Sequence, residues 1–280
     1  MYFDCNNTTQ PCTPNACISR FKFQKGRRHL LRVINAGAQG VQKFSIDGHD
    51  LTVVAHDFVP VEPYTANMIQ LGIGQRFDVI VQAKKELDTS YFMRASIQTN
   101  CTPSTQPHAL AAVYYPQADR AALPTSAPQP DTLGNCSLAN FPLARTKPVF
   151  KMPLPAGAPD ITHTIEMTFG PNATGHNVWM MNKSSFRANY NAPVLLLANQ
   201  GNFSYPASWN VYNNGGARTV RVVLINNSRL THPMHLHGHN FFELASGVGL
   251  AWGGQITNAA NPARRDTHNV EPFGDRKSVV

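Results

Sequence analysis

The chain has 280 residues, 42% of them apolar and 14% charged, with a formal charge of +8. That balance supplies a core and excludes a disordered chain, and the length fits one large or two ordinary domains. No run of about 18 apolar residues occurs, so no membrane-spanning helix is expected, and no apolar segment follows Met1 as a signal peptide requires.

The 21 prolines and 19 glycines punctuate short strand-like runs, an all-β pattern. In chain order, strands are expected over residues 30–34, 43–46, 51–55, 77–82, 91–97 and 110–115, with Asp47-Gly48 as a tight turn between two of them. These make a first unit over residues 1–117. Residues 118–148, with Pro124, Pro128 and Pro130, read as a Pro-rich linker. A second unit over residues 149–280 carries expected strands at 161–169, 178–182, 194–198, 219–226 and 241–245. Short strands at this spacing fit Greek-key β-sandwiches.

The densest basic patch is Lys22, Lys25, Arg27, Arg28 and Arg32, with His29 among them. Leu30, Leu31, Val33 and Ile34 interleave with these charges, so the patch reads as a strand entering a core with its polar end in water. No nucleic-acid motif accompanies it, and no nucleic-acid or membrane partner is expected. Arg76 and Asp78 of the Gly-Gln-Arg-Phe-Asp turn are expected to form a structural ion pair.

The cysteines are Cys5, Cys12, Cys17, Cys101 and Cys136. None is spaced as the C-x-x-C pair of a zinc knuckle; oxidised pairs in a secreted protein fit better, with one thiol left over from the odd count. Asn-x-Ser/Thr sites occur at Asn6, Asn7, Asn100, Asn135, Asn172, Asn182, Asn202 and Asn226, where chance gives roughly three. The excess points to glycan-bearing loops of an extracellular protein. Some sites stay empty, because Asn6 and Asn7 overlap and Asn100 and Asn135 directly precede cysteines.

The most informative stretch is His232-Pro233-Met234-His235-Leu236-His237-Gly238-His239. On a strand, His235 and His237 point to one face about 7 Å apart. Neutral imidazole suits copper, zinc, iron and nickel. Apolar strands on both sides give these rings a stiff scaffold. The other histidines, His49, His56, His108, His163, His176 and His268, are scattered and read as surface or satisfied core residues. Met180 and Met181, beside Trp179, read as core.

The run from His232 to Phe242 resembles the third copper-binding motif of the multicopper oxidases, and most resembles ascomycete laccases. Residues 44–83 resemble the second cupredoxin-like domain of laccases, and residues 261–266 resemble the stretch that follows the third motif. The resemblance implies two cupredoxin-like Greek-key β-sandwich domains, the second incomplete at its C-terminus. It implies copper as the cofactor, with His232 as the type 1 ligand, His235 as the type 2 ligand and His237 as a type 3 ligand. His239 would support the strand through hydrogen bonds. It also implies a Cys101–Cys136 disulfide. The activity implied is one-electron oxidation of phenolic or similar small-molecule substrates, coupled to reduction of dioxygen to water, in a secreted enzyme.

Departures from the family pattern carry equal weight. The family's other histidine motifs are not in this chain, and from Thr267 onward the resemblance stops. The reading is therefore a middle-to-late fragment, inactive by itself because most copper ligands are absent. The alternatives are a non-catalytic copper-binding or structural secreted glycoprotein and a metal-oxidising, ferroxidase-like relative. Many fungal laccases carry a carboxylate in domain two that takes the phenol proton. Gln39 falls at that place by position, and an amide cannot accept a proton as a carboxylate does. Asp47, Asp57 and Glu62 are the nearby carboxylates.

Overall fold

The computed structural model of the chain describes residues 9, 17–84, 89–99, 102–104, 106–133, 145–247, 252–271 and 276–279. Cys5, Cys12, Cys101 and Cys136 lie outside the described residues, and with them the expected disulfide. Cys17 is exposed and carries no disulfide among the described residues.

The first half forms β1 (Ser19–Lys22), β2 (Arg28–Ile34), β3 (Gln42–Ile46), β4 (Leu51–His56), β5 (Val59–Ala66), β6 (Met68–Leu71), β7 (Arg76–Gln82), β8 (Ser90–Ile97) and β9 (His108–Tyr114). They pair into two sheets, β1-β9-β8-β3-β6 and β2-β7-β4-β5. Ile46, Leu51, Val53, Ile69, Val79 and Val81 are fully buried in one cluster drawn from both sheets. Period-two alternation decides which residues reach it. In β2, Leu31 and Val33 pack on the core, whereas Leu30 and Ile34 are 52% and 60% exposed. The strand enters the core as expected, and it buries one face only.

Asp47-Gly48 forms the expected turn, with Gly48 at φ 68°. A Cβ there would lie 3.2 Å from the Tyr91 ring. The fully buried Asp47 carboxylate accepts from Arg94 Nε and Nη2 at 2.8 Å each. The β4–β5 turn uses Asp57 and Phe58 at φ 45° and 70°, a left-handed geometry that costs a non-glycine residue about 1–2 kcal/mol. Backbone N–H of Arg76 donates to Asp57 at 2.7 Å and helps hold it there.

Strand β5 was not expected, because Pro60 and Pro63 break the strand signal. It lies at a sheet edge, where a missing N–H is tolerated. Glu62 N donates to Lys147 O at 2.8 Å and Val149 N to Pro60 O at 2.9 Å, which covers that edge. The Pro-rich stretch is fastened by side chains. Ser126 donates to Asp47 at 2.6 Å, Lys43 Nζ to Asp131 at 2.7 Å, and the Gln129 amide to His49 O at 3.0 Å.

The second half forms β10 (Ile161–Pro171), β11 (Asn177–Met181), α1 (Val194–Asn199), β12 (Val220–Asn226), β13 (His232–His235), β14 (Phe241–Glu243), β15 (Ala263–Arg265), β16 (Thr267–Val270) and β17 (Arg276–Val279). The sheet order is β11-β10-β12-β17, with separate pairs β13-β16 and β14-β15. Met167, Leu224 and Val270 form a small core, and Met181 packs against it as expected. The strand expected over 194–198 is corrected to helix α1. A short apolar run does not report its own period, and Leu195, Leu196, Leu197 and Ala198 are good helix formers. No residue of α1 is buried.

His49 and His56 are core residues. Desolvation lowers the pKa of both, for His56 well below the ordinary imidazole value, with the Arg265 charge acting in the same direction. Their Nε2 atoms lie 2.8 Å from the Tyr115 hydroxyl and 2.7 Å from the Tyr64 hydroxyl. Among the described residues no helix is long and apolar enough to cross a membrane.

Candidate metal centre

Strand β13 pairs antiparallel with β16, which sets His232 opposite Val270 and His235 opposite Thr267. His232 and His235 are three positions apart, so they leave opposite faces of the strand. His232 is half-buried under β11, its ring 4.2 Å from the Trp179 ring, edge to face. Its Nε2 lies 2.7 Å from the Ser228 hydroxyl, which leaves Nδ1 for a metal. Burial lowers the His232 pKa and favours the neutral form that ligates. Trp179 is 46% exposed and stands 4.8 Å from Phe169, so an aromatic pair flanks this histidine at the surface.

The strand stops at His235, and the chain turns at His237-Gly238, with Gly238 at φ 79°. The two rings are therefore brought together by a turn rather than by the strand alternation expected from sequence. Their centroids are 4.8 Å apart at 63°. His235 Nδ1 lies 2.8 Å from the Asp266 carbonyl oxygen and 3.1 Å from Thr267 Oγ1. A carbonyl only accepts, so Nδ1 carries the proton and Nε2 keeps its lone pair. His239 is exposed, with no hydrogen bond among the described residues, so the supporting role expected of it is absent. No group of three or more His, Cys, Asp or Glu converges among the described residues. What fits copper here is a two-imidazole pair, with His232 standing apart on the other face.

A charged network lies under the pair and joins the two halves of the chain. Arg76 Nη1 and Nη2 each lie 2.6 Å from the Asp266 carboxylate, and its guanidinium covers the Phe58 ring at 4.6 Å. Arg265 Nε lies 2.7 Å from the fully buried Asp57 carboxylate, and its guanidinium lies 5.4 Å from the centre of the Phe77 ring. The expected Arg76–Asp78 pair is corrected: Asp78 lies 3.9 Å from Arg32 instead. The Gln75 amide donates to Thr267 O at 3.2 Å. The Asn269 side chain packs so closely on the Gly72 backbone that a Cβ there would lie 1.9 Å from Asn269 Nδ2.

Hydrogen bonding to Asp266 raises the Arg76 pKa. Burial acts to raise the Asp266 carboxyl, but Arg76 and Thr267 together hold it below its usual value. Burial works against the Arg265 cation, and Asp57 and Glu243 outweigh it. Sequence reasoning did not pair these residues because the partners are 190 and 208 positions apart. No local signal could have found them: Arg264-Arg265-Asp266 lies among mostly polar residues, from Asn261 to Asn269, and its run of three charges is matched by Lys84-Lys85-Glu86.

Two multicopper oxidase family profiles match the chain, over residues 4–118 and 160–278. The chain belongs to the multicopper oxidase family. The second match includes β16 and the described β17, which corrects the expectation that the likeness ends at Thr267. Oxidoreductase OpS5 of Beauveria bassiana is 34% identical over 262 residues, covering 89% of this chain and 42% of that protein. Laccase-1 of Botryotinia fuckeliana is 34% identical over 272 residues, covering 94% and 46%. The laccase structure from Botrytis aclada superposes with a TM-score of 0.88 at 28% identity, covering 99% of this chain and 51% of that one. The iron-import oxidase Fet3p, at 24% identity and a TM-score of 0.74, shares the fold. The chain spans about half the length of the laccases it matches, and its sheets are those of laccase cupredoxin domains.

Gln39 is exposed in the loop between β2 and β3. Asp47 and Asp57 are fully buried and tied to Arg94 and Arg265, so neither is open to solvent. Glu62 is solvent-facing, 4.0 Å from Lys147.

Proposed function

We propose that this chain is the second- and third-domain portion of a laccase-type multicopper oxidase, with the domains at residues 1–117 and 149–280 and residues 118–148 joining them. His232 serves the type 1 copper, His235 the type 2 copper and His237 a type 3 copper. The observation that carries this reading is the division of labour at β13: the strand sends His232 to one face, beside exposed Trp179, and His235 to the other, where the turn at Gly238 brings the His237 ring to 4.8 Å. One strand thereby serves two separate metal positions. When bound, copper supplies one-electron transfer from a phenolic or similar substrate and the reduction of dioxygen to water. The protein's part is to aim the imidazoles: Ser228 holds Nε2 of His232, and the Asp266 carbonyl holds Nδ1 of His235.

Only a minority of the family's copper ligands lie in these residues, so the chain by itself is a weak copper binder without turnover. Copper(II) titration of the purified chain, followed by electron paramagnetic resonance, is expected to show a nitrogen-ligated site. Replacing His235 and His237 together by alanine removes that site. No strong blue absorption and no phenol oxidation accompany it. Blue colour with turnover would overturn the inactivity, and no nitrogen-ligated site at all would overturn the copper assignment in favour of a purely structural glycoprotein.

The same reading makes the parent a secreted glycoprotein. Asn172 and Asn202 are exposed. Asn226 is fully buried and its amide donates to Leu230 O at 2.8 Å and Val270 O at 3.1 Å, so a glycan there is incompatible with this fold. Asn182 is likewise occupied, donating to Thr164 O and the Tyr212 hydroxyl. Glycopeptide mass spectrometry of secreted material is expected to find sugar at Asn172 and Asn202; a glycan on Asn226 contradicts the assignment.

A further inference from the structure

We infer that the Arg76–Asp266 pair is a positioning device for His235, so that docking of the first half of the chain onto the second sets the tautomer and aim of a metal-binding imidazole. The inference rests on the reading of His235 as a copper ligand. Its geometry stands without the metal.

The chain of contacts is continuous. Arg76 begins β7 in the first half, and its two terminal nitrogens grip both oxygens of the Asp266 carboxylate at 2.6 Å. A bidentate guanidinium–carboxylate pair fixes direction as well as distance. The Thr267 hydroxyl donates to the same carboxylate at 2.9 Å. With its side chain held on both sides, Asp266 presents its backbone carbonyl to two donors from the histidine strand, the His235 Nδ1–H at 2.8 Å and the Leu236 N–H at 3.0 Å. Thr267 Oγ1 lies 3.1 Å from the same Nδ1. The His235 ring is thus held at one nitrogen by a peptide whose own orientation is set from the other half of the molecule. Its Nε2 makes no hydrogen bond among the described residues, and the His237 ring centroid lies 4.8 Å from that of His235.

Hydrogen bonds to the unligated nitrogen of a metal-binding histidine fix its tautomer and ring orientation, and their loss costs about 10- to 100-fold in metal affinity. Arg76 makes no contact with His235 itself, so it acts through Asp266 as a positioning residue. If Arg76 is removed, the Asp266 carboxylate loses its counter-charge and turns toward solvent, and the peptide that carries the acceptor carbonyl turns with it.

The test uses the ¹⁵N-labelled 280-residue chain. Long-range ¹H–¹⁵N spectra of the imidazoles report the tautomer of each ring, and a His235→Gln variant assigns the His235 signals. The starting chain is expected to show His235 as a single tautomer protonated at Nδ1. Arg76→Met and Asp266→Asn are each expected to give a mixture of tautomers at His235 and a loss of copper(II) affinity of about 10- to 100-fold. Arg94→Met removes an equally bidentate pair, Arg94–Asp47, in which the Asp47 backbone carbonyl meets His49 Nδ1 and not His235; it is expected to leave the His235 tautomer and the copper(II) affinity unchanged. A His235 ring that keeps its single tautomer in a folded Arg76→Met chain overturns the proposal. So does an Arg94→Met chain that shows the same change as Arg76→Met. Should Arg76→Met not fold, Asp266→Asn, which keeps the backbone carbonyl and the side-chain shape, decides between the same two results. The readouts also separate the two claims. Equal copper binding with and without Arg76 removes the positioning role and leaves the copper reading. A tautomer that responds to Arg76 in a chain that binds no copper does the reverse.

Discussion

Replacing Arg265 by alanine is expected to destabilise the chain by about 3–5 kcal/mol, measured by denaturant unfolding. The Asp57 carboxylate has no exposed surface, and Arg265 supplies its 2.7 Å partner. Truncation leaves a carboxylate out of water with the Arg76 backbone N–H at 2.7 Å and, as its nearest charge among the described residues, the Arg76 guanidinium at 3.6 Å. The pair itself need not add much net stability, because desolvating two ions consumes most of their attraction. A double substitution, Asp57→Asn with Arg265→Met, is accordingly expected to be milder than Arg265→Ala alone. A single-variant loss under about 1 kcal/mol would mean that water reaches the pair, as at exposed ion pairs, and that the two halves are not docked as described.

Phe77→Ala is expected to cost a similar amount, about 3–5 kcal/mol, by leaving a cavity that the rigid sheets cannot close. Phe77 is 2% exposed, and its ring lies 4.4 Å from the His56 ring and 5.4 Å from the Arg265 guanidinium. It belongs at once to the core of the first half and to the contact with the second. In a double-mutant cycle, Phe77→Ala and Arg265→Ala are therefore expected to couple by about 0.5–3 kcal/mol. Simple additivity would show that the core and the interface respond independently, which the shared contact does not allow.

Much of the fold was legible because a two-residue period is written locally. β3, β4, β7, β8, β9, β10 and β12 lie where their alternation places them. The failures have local causes as well. Pro60 and Pro63 hid β5, which survives because it is an edge strand. Three leucines and an alanine after Pro193 imitated a strand and form α1. β15 and β16 were missed because their residues, from Arg264 to Asn269, are polar throughout and carry no apolar alternation. The charges among them are buried because their partners come from the other half of the chain, and no local pattern can show that.

The amino-acid sequence alone determined the chemistry available to this protein: all-β strands, imidazoles at 232, 235 and 237, and a likeness to the multicopper oxidases carried by that tract. Those properties depend on residue identity and short-range spacing. Only the tertiary structure decided how the imidazoles are placed. A strand that ends at His235 and turns at Gly238 separates His232 from the other two rings. An ion pair between residues 190 positions apart holds the peptide that fixes His235. Spacing along a chain limits which faces side chains can share. Which of them meet, and which nitrogen is left for a metal, depends on contacts that exist only after distant segments have packed.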